Sequence, residues 1–463
     1  SPLRDCSQTS PHLMKKANII GAGLVGSLWS LYLQQRGYHV DIYERRPDPR
    51  KAGYIGGRSI NLALSDRGWK ALKGAGIQQE VEAMAIPMRR RVIHANNGSL
   101  SFQPYGQSGQ AIYSVSRGGL NQLLINKAEA SGQVKVHFDH ACDSISMDSG
   151  TATLSHEGTK IQSEADVLFG ADGAFSRVRK SLHDAGITTE HKVYPIDHGY
   201  KELSIPPSAD GSYQLEKEAL HIWPRGGFML IALPNPDATF TCTLFLSLEG
   251  ETSFAGIEDL KTGRAFIQSH FPDAFDLMPD FDAMWTKNPV SPLTIVRCFP
   301  WTSAGKVALM GDAAHAIVPF YGQGMNAGFE SCTVLNDLLD LHDDDIAVSL
   351  AAFEATRKAD ADAISDLALR NFIEMRDLTG QPSFLLRKKI ESRLSLRHPD
   401  KWLPLYSQVT FSHIPYAKSL AAGVLQDQVM APFMARPDIA STWDSETLEQ
   451  EILDAWAKAQ AAQ

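Results

Sequence analysis

The sequence predicts an α/β protein: a Rossmann-like nucleotide-binding domain, an inserted antiparallel β-sheet domain and a helical C-terminal region. Three observations predict it. The glycine fingerprint Gly21-Ala22-Gly23-Leu24-Val25-Gly26 follows the apolar run Ala17-Asn18-Ile19-Ile20. A second glycine-rich segment runs from Val307 through Gly311-Asp312 to Pro319-Phe320-Tyr321-Gly322-Gln323-Gly324-Met325-Asn326. Between the two, residues 195–250 are rich in β formers, and from about residue 345 the pattern turns helical.

The bulk composition is consistent with this class. At 463 residues, 43% of them apolar, the chain is long enough for about two or three domains. A net charge of -9 argues against nucleic acid as the main partner, because phosphate binding needs a basic surface. No apolar run reaches membrane-spanning length, so no membrane anchor is expected. Cys6, Cys142, Cys242, Cys298 and Cys332 are odd in number, scattered and never spaced as CxxC. That usage reads as a reducing, cytoplasmic compartment with neither a disulfide framework nor a zinc site. The histidines also lack metal-ligand spacing, and no metal is expected. Residues 1–13 have no apolar h-region and read as a tail ahead of Met14.

Taken in order, residues 14–46 read as strand, tight turn, helix (Ser27 to Gly37) and strand (Val40 to Tyr43). Lys51 to Gly57 is a glycine-rich loop, and a helical pattern runs from Leu62 through Ala71 and Leu72. Residues 88–113 suggest a hairpin broken by Asn96-Asn97-Gly98 and by Pro104. Leu120 to Ala130 reads as helix and Lys135 to Phe138 as strand. Val167-Leu168-Phe169-Gly170 is a buried strand ending in the turn Ala171-Asp172-Gly173. Further on, Met229, Ile231 and Leu233 share one face of a strand, and Phe228 and Leu230 the other. Residues 300–310 read as one strand, followed by a helix from about Gln323. The expected division is a nucleotide domain in three pieces (14–87, 106–190, 299–345), a sheet domain in two (88–105, 191–298) and a helical region (346–463).

The fingerprint has a physical reading. Gly21 permits the tight turn, Gly23 lets a pyrophosphate approach the backbone, and Gly26 lets the helix pack against the strand. The pyrophosphate sits on the helix N-terminal amides, and Glu44 at the end of the second strand accepts ribose hydroxyls. Pro319 to Gly324 brings backbone amides to a helix N-terminus near Met325 and Asn326. Such an end suits the negative charge that a reduced flavin carries at N1 and its C2 carbonyl. The two segments together predict FAD and redox chemistry. No second GxGxxG lies between a strand and a helix, so a nicotinamide cofactor has no Rossmann domain of its own. Taken alone, Asp172 and Asp312 are plain turn residues and Arg117 is a surface arginine at a helix start.

With Gly170-Ala171-Asp172-Gly173, Gly311-Asp312 and Arg117-Gly118-Gly119-Leu120 added, the chain resembles the FAD-dependent aromatic hydroxylases, the family typified by p-hydroxybenzoate hydroxylase. The resemblance implies that Asp312 contacts the ribityl chain, that Arg117 lies near the pyrophosphate and that the Asp172 motif serves both FAD and NAD(P)H. It also adds Val25, Arg45, Ala63 and Cys142 to the cofactor set of Gly21, Gly23, Gly26, Glu44, Gly324, Met325 and Asn326. Longer runs are similar to the kynurenine 3-monooxygenase family: Gly57 to Ser65, Leu220-His221-Ile222-Trp223-Pro224, His315 to Asn326, and Tyr406 to Ser412. That likeness spans roughly residues 14–425. It implies an NADPH-dependent FAD monooxygenase that converts L-kynurenine to 3-hydroxykynurenine with O2 through a C4a-hydroperoxyflavin, with no catalytic side chain beyond the flavin.

By the same resemblance, Arg91, Tyr105, Asn371 and Tyr406 hold the substrate carboxylate. Leu220, Met229, Ile231, Leu233, Phe245, Pro319 and Phe320 line the ring pocket. An arginine fork with phenol and amide donors suits an amino-acid carboxylate. On the residues alone, Arg89-Arg90-Arg91 is a solvated charge run. Asn371, on the apolar stripe of Ile364, Leu367, Ala368 and Met375, calls for a hydrogen-bond partner of some kind. His221 and His315 are read as structural. Two other readings stand beside this one: a hydroxylase for a phenol- or salicylate-type substrate, and a non-catalytic flavin-bound regulatory protein.

Overall fold

A computed structural model describes residues 14–51 and 60–463. Cys6, the tail 1–13 and most of the Lys51–Gly57 loop lie outside these residues. Short apolar strands form a six-stranded sheet in the order Thr302–Ser303, Val307–Leu309, Val167–Gly170, Lys16–Ile20, His39–Tyr43 and Val134–His137. All neighbours are parallel except the first pair. Parallel strands buried on both faces need helical cover. Helix Leu24–Gln35 supplies part of it with Leu28, Trp29 and Leu33, all fully buried. It packs in turn against helices Arg117–Ala130 and Gly324–Leu341.

A seven-stranded sheet runs in the order Val290–Phe299, Glu190–Ile205, Phe240–Ser247, Met229–Pro234, Ala219–Pro224, Arg90–His94 and Leu100–Pro104. Its pairs are antiparallel except Ala219–Pro224 against Arg90–His94, which is parallel. The strand period of two sorts its side chains. Leu220, Ile222, Met229, Leu233 and Phe245 join a core shared with the C-terminal helices. Trp223, Phe228, Leu230 and Ala232 face the other way, under helices Leu260–His270 and Phe281–Lys287. The residue 88–113 hairpin is present as Arg90–His94 against Leu100–Pro104.

Three local expectations change. The helical pattern from Leu62 is first a strand, Asn61–Leu64; the helix begins only at Asp66, after Ser65 in extended conformation. Residues 300–310 form a two-stranded hairpin, not one strand. Ala304 (φ 53) and Gly305 (φ 66) place two left-handed residues in a row at its tip, as a tight hairpin turn requires. A three-stranded sheet of Ala141–Ile145, Ala152–His156 and Thr159–Ser163 has no counterpart in the sequence reading.

From Ile346 the chain is helical. The long helix Ile346–Ile373 runs into a π-helical turn, Glu374–Leu378, and then Pro382–Arg397, Leu405–Thr410, Tyr416–Met434 and Glu446–Ala461 follow. Among the described residues no helix is long and apolar enough to cross a membrane.

Candidate cofactor and substrate site

The three fingerprint glycines differ in what surrounds them. Gly21 (φ +105) is in a conformation that side chains rarely adopt, and a Cβ there would stand 2.2 Å from the Ala171 carbonyl oxygen. A Cβ on Gly26 would stand 2.2 Å from the Gly21 oxygen. Gly23 is exposed, and among the described residues, its chain neighbours aside, no heavy atom lies within 4 Å of its Cβ position. Helix Leu24–Gln35 starts there with no side-chain cap and no acid in its first turn, so its leading amides are free for an anion. This open, uncapped end fits a dinucleotide pyrophosphate. Glu44 is held ready at the neighbouring strand end: its carboxylate accepts from Ala22 N (3.0 Å) and Arg46 N (2.8 Å), with Arg45 exposed beside it. Asn121, which the sequence did not single out, donates to the Ala22 carbonyl at 2.9 Å and ties helix Arg117–Ala130 to the loop.

The glycine geometry makes opposite predictions for two neighbours. Gly23→Leu puts its side chain into open space, so the apoprotein keeps its melting temperature. It fills the cleft, however, and overpacking of about 1–3 kcal/mol lowers FAD affinity roughly 5- to 150-fold. Gly26→Leu drives a side chain into backbone and destabilises the fold itself. Circular dichroism melts of the apoproteins, with FAD titration by fluorescence quenching, check both. An unstable Gly23→Leu apoprotein would refute the assignment of that open side to the ligand.

The second glycine segment packs against the first. Val25 fills the space over Gly311 and Gly328, where added Cβ atoms would stand 3.1 and 2.6 Å from its Cγ2. Its role is to close the two segments on each other. Asp312 opens to the cleft, yet the cleft walls desolvate it and push its carboxyl up, against the pull of the Arg117 guanidinium. Arg117 is itself exposed there. Helix Gly324–Leu341 also begins with no side-chain cap and no acid in its first turn. The amides of Gly324, Met325 and Asn326 therefore lack intrahelical partners. The Asn326 side chain is already used: Nδ2 donates to the Ala63 and Gly322 carbonyls (2.8 Å each), and Oδ1 accepts from Ser65 N (3.0 Å). Only its backbone is left for a cofactor. Asp172 is engaged in capping helix Arg177–Asp184, accepting from Ser176 Oγ and from Arg177 N at 2.7 Å. The Cys142 thiol is buried and pushed up to about 12, by burial first and then by Asp172.

On the pocket face of the seven-stranded sheet, the arginine run separates residue by residue. Arg89 pairs with Glu218 (3.5 Å) and Arg90 with Glu216 (2.6 Å). Arg91 has no carboxylate partner among the described residues, and its buried Nε makes no hydrogen bond. It is in register with Leu220 and lies against two phenol rings, 4.7 Å from the centre of Tyr406 and 5.8 Å from that of Tyr105. Those rings stack at 5.7 Å, and Tyr321 stacks on the far side of Tyr406 at 5.4 Å. The Tyr105 hydroxyl is also buried with no hydrogen-bond partner among the described residues, and burial pushes it far above the ordinary phenol range, so it stays protonated as a donor. Arg91, Tyr105 and Tyr406 thus converge, with two orphaned polar atoms among them. Asn371 is less free, since its Nδ2 donates to the Phe320 carbonyl at 2.6 Å.

Leu220, Met229, Leu233, Phe245 and Phe320 are buried in the same core as Tyr105, with Ile231 partly buried beside them. Phe320 meets Phe245 edge-on at 4.8 Å and stacks on Phe372 at 4.0 Å; Pro319 is exposed. A cavity of about 370 Å3 adjoins this cluster, lined by Tyr321, Asn371 and Tyr406 together with Arg370, Glu374 and Arg387. The last three, and Tyr321, were not legible as site residues. They meet only through the π-helical turn and the packing of distant helices. His221 lies on the opposite face of the sheet from the pocket. It donates Nε2–H to the Glu216 carbonyl (2.8 Å) and contacts His94 (2.9 Å), and burial lowers it to about 4. His315 is likewise buried and lowered to about 4, packed near Trp301. Both are neutral structural groups.

The comparisons agree with this geometry. An FAD binding domain family model matches residues 14–342. The chain is 46% identical over 441 residues to the kynurenine 3-monooxygenase of Flavobacterium johnsoniae, covering 95% of this chain and 98% of that protein. It is 44% identical over 432 residues to that of Anopheles gambiae, covering 91% and 87%. Among solved structures, 2-methyl-3-hydroxypyridine-5-carboxylic acid oxygenase shares the fold with a TM-score of 0.67 at 20% identity, over 81% of this chain and 96% of that one. PqsL of P. aeruginosa, solved in complex with 2-aminobenzoylacetate, shares it with a TM-score of 0.63 at 19% identity, over 78% and 97%. The chain belongs to the kynurenine 3-monooxygenase family of FAD-dependent aromatic hydroxylases.

Proposed function

We propose that this chain hydroxylates L-kynurenine to 3-hydroxykynurenine, using FAD, NADPH and O2. The observation that carries the substrate reading is the Arg91 guanidinium, which has no carboxylate partner among the described residues and lies against the Tyr105 and Tyr406 rings on the apolar face of the sheet. A buried cation without a counterion needs an anionic ligand. An aromatic amino acid supplies both that carboxylate and a ring for the apolar pocket. FAD, when bound and reduced by NADPH, supplies the activated oxygen. The chain does the rest: it binds, orients and excludes water.

Gly21, Gly23 and Gly26 with Glu44 and Arg45 would take the adenosine and pyrophosphate half. Val25, Ala63 and Cys142 shape the walls, and Arg117 and Asp312 would lie along the cleft. The amides of Gly324, Met325 and Asn326 would meet the pyrimidine edge and favour its negative charge on reduction. Arg91 anchors the carboxylate, with Tyr105 and Tyr406 as donors. Asn371 braces Phe320 and lends its remaining amide oxygen. Leu220, Met229, Ile231, Leu233, Phe245, Pro319 and Phe320 hold the ring and keep water from the reacting edge. No side-chain base is needed, because the amine on the ring activates the carbon ortho to it.

This reading divides the chain into a cofactor body (14–87, 106–190, 299–345), a substrate sheet (88–105, 191–298) and a helical cover (346–463). A cytoplasmic location suits the four described cysteines, all buried free thiols. Purified protein is expected to be yellow and to release FAD on denaturation. NADPH oxidation should rise on adding L-kynurenine, with the hydroxylated product seen by mass spectrometry. An unchanged rate with kynurenine, but a stimulated one with a phenol or salicylate, would overturn the substrate.

A further inference from the structure

The helical cover reaches the flavin end of the site through a buried chain of contacts. Tyr416, fully buried at the start of helix Tyr416–Met434, donates its hydroxyl to Gln323 Oε1 at 2.7 Å. Gln323 is the residue that opens helix Gly324–Leu341, and its Nε2 donates to Ser65 Oγ at 3.1 Å. The other side-chain tether at that helix end, Asn326 to Ala63, Ser65 and Gly322, stays within the cofactor body. From the cover come the Tyr416 hydroxyl at the helix's opening residue and, within its first turn, Arg357, whose Nη2 donates to the Ala327 carbonyl at 3.1 Å.

The segment before Tyr416 is also held. Arg67 donates Nε to the Val409 carbonyl (2.9 Å) and Nη2 to those of Gln408 (3.1 Å) and Ile414 (2.7 Å). Its guanidinium lies 4.0 Å over the Tyr416 ring. Gln408 and Val409 belong to the short helix Leu405–Thr410, which also carries Tyr406. One continuous chain of contacts therefore runs from Tyr406, beside Arg91, through the segment 405–416 to Gln323.

We propose that Tyr416 is a positioning residue. Through Gln323 it sets the amide-bearing end of helix Gly324–Leu341, and through segment 405–416 it makes that end sensitive to what Tyr406 touches. The first half concerns the cofactor alone. The second half rests on the substrate reading above. Packed elements with two discrete arrangements carry such coupling when both sites bias them.

The test is Tyr416→Phe, which keeps the ring on Arg67 and removes one hydroxyl. Without substrate, loss of one neutral hydrogen bond is expected to weaken FAD binding to the apoprotein about 3- to 10-fold. The flavin midpoint potential should become more negative, because the positive helix end is less well placed to meet the reduced flavin. Gln323→Leu, which cuts the same link from the other side, should shift the potential in the same direction. With kynurenine, the change in flavin absorbance should fall to less than half that of the unaltered protein, while the kynurenine dissociation constant stays within about threefold. A lower melting temperature with unchanged potential and FAD affinity would make Tyr416 a packing residue only and overturn the proposal. If the unaltered holoenzyme does not respond to kynurenine, the substrate reading fails. The affinity and potential measurements still decide the role of Tyr416.

Discussion

Arg91→Ala is expected to lower kynurenine affinity roughly 30-fold to several-thousand-fold, with normal FAD content. Losing a charge-assisted bond in a desolvated pocket costs about 2–5 kcal/mol, at about 1.4 kcal/mol per decade of affinity. The guanidinium is the only cation in the cluster of Arg91, Tyr105, Tyr406 and Asn371, and its Nε is buried with no hydrogen-bond partner. Arg89 and Arg90, two and one positions away, already have Glu218 and Glu216. Arg90→Ala therefore serves as the internal control and should leave affinity unchanged. Tyr105→Phe removes one buried donor and should cost less, about 1–3 kcal/mol. Titration by flavin absorbance reads all three. Equal affinities in Arg90→Ala and Arg91→Ala would return Arg91 to the surface charge run, and loss of FAD in Arg91→Ala would assign it to the fold.

The contrast between these arginines shows where sequence reading stops. The strand period put Met229, Ile231 and Leu233 on one face, and they do share it. The fingerprint spacing placed Gly21, Gly23 and Gly26 at the junction of strand and helix: Gly21 is required by its own positive φ, and Gly26 by the Gly21 oxygen five residues back. Local chemistry of that kind is legible. Arg91 was distinguishable from Arg89 and Arg90 only by resemblance, because what separates them is two glutamates more than 100 residues away. Asn326 and Asn371 were read as ligand groups, but their amide nitrogens are engaged with backbone carbonyls of other elements. Asp172 was read from its motif, and its carboxylate is engaged in a helix cap. Glu374, Tyr321 and Arg370 had no signal, since the cavity they line forms only when four helices of the cover pack together. A polar side chain's partner is a tertiary fact, and motif spacing does not encode it.

The same limit hid the buried charge cluster that holds the cover to the cofactor body, and its disruption should have the largest effect on stability. Glu330 sits between two arginines, with Oε2 on Arg67 Nη1 and Oε1 on Arg357 Nη1, both at 2.7 Å. The arginine side chains are 0% and 3% exposed and that of Glu330 is 12% exposed. Glu330→Gln keeps the shape but removes the negative charge, and it turns an amide donor toward a guanidinium. Leaving buried charge uncompensated costs about 3–5 kcal/mol, a large share of a usual folding free energy of about 5–15 kcal/mol. Asp184→Asn, which breaks the exposed Lys180 pair, should leave the unfolding midpoint where it is. The pH dependence gives a second check. Burial pushes the Glu330 carboxyl up, but Arg357 and then Arg67 pull it further down, so it ends below the ordinary carboxylate range. A folded-state carboxyl held low contributes its full stability above the unfolded value and loses it as pH falls through the folded one. The deficit of Glu330→Gln in urea unfolding should therefore be largest near neutral pH and shrink as the solution becomes acid. A deficit that stays constant from about pH 7 to about pH 3 would show that shape, not charge, is what Glu330 contributes.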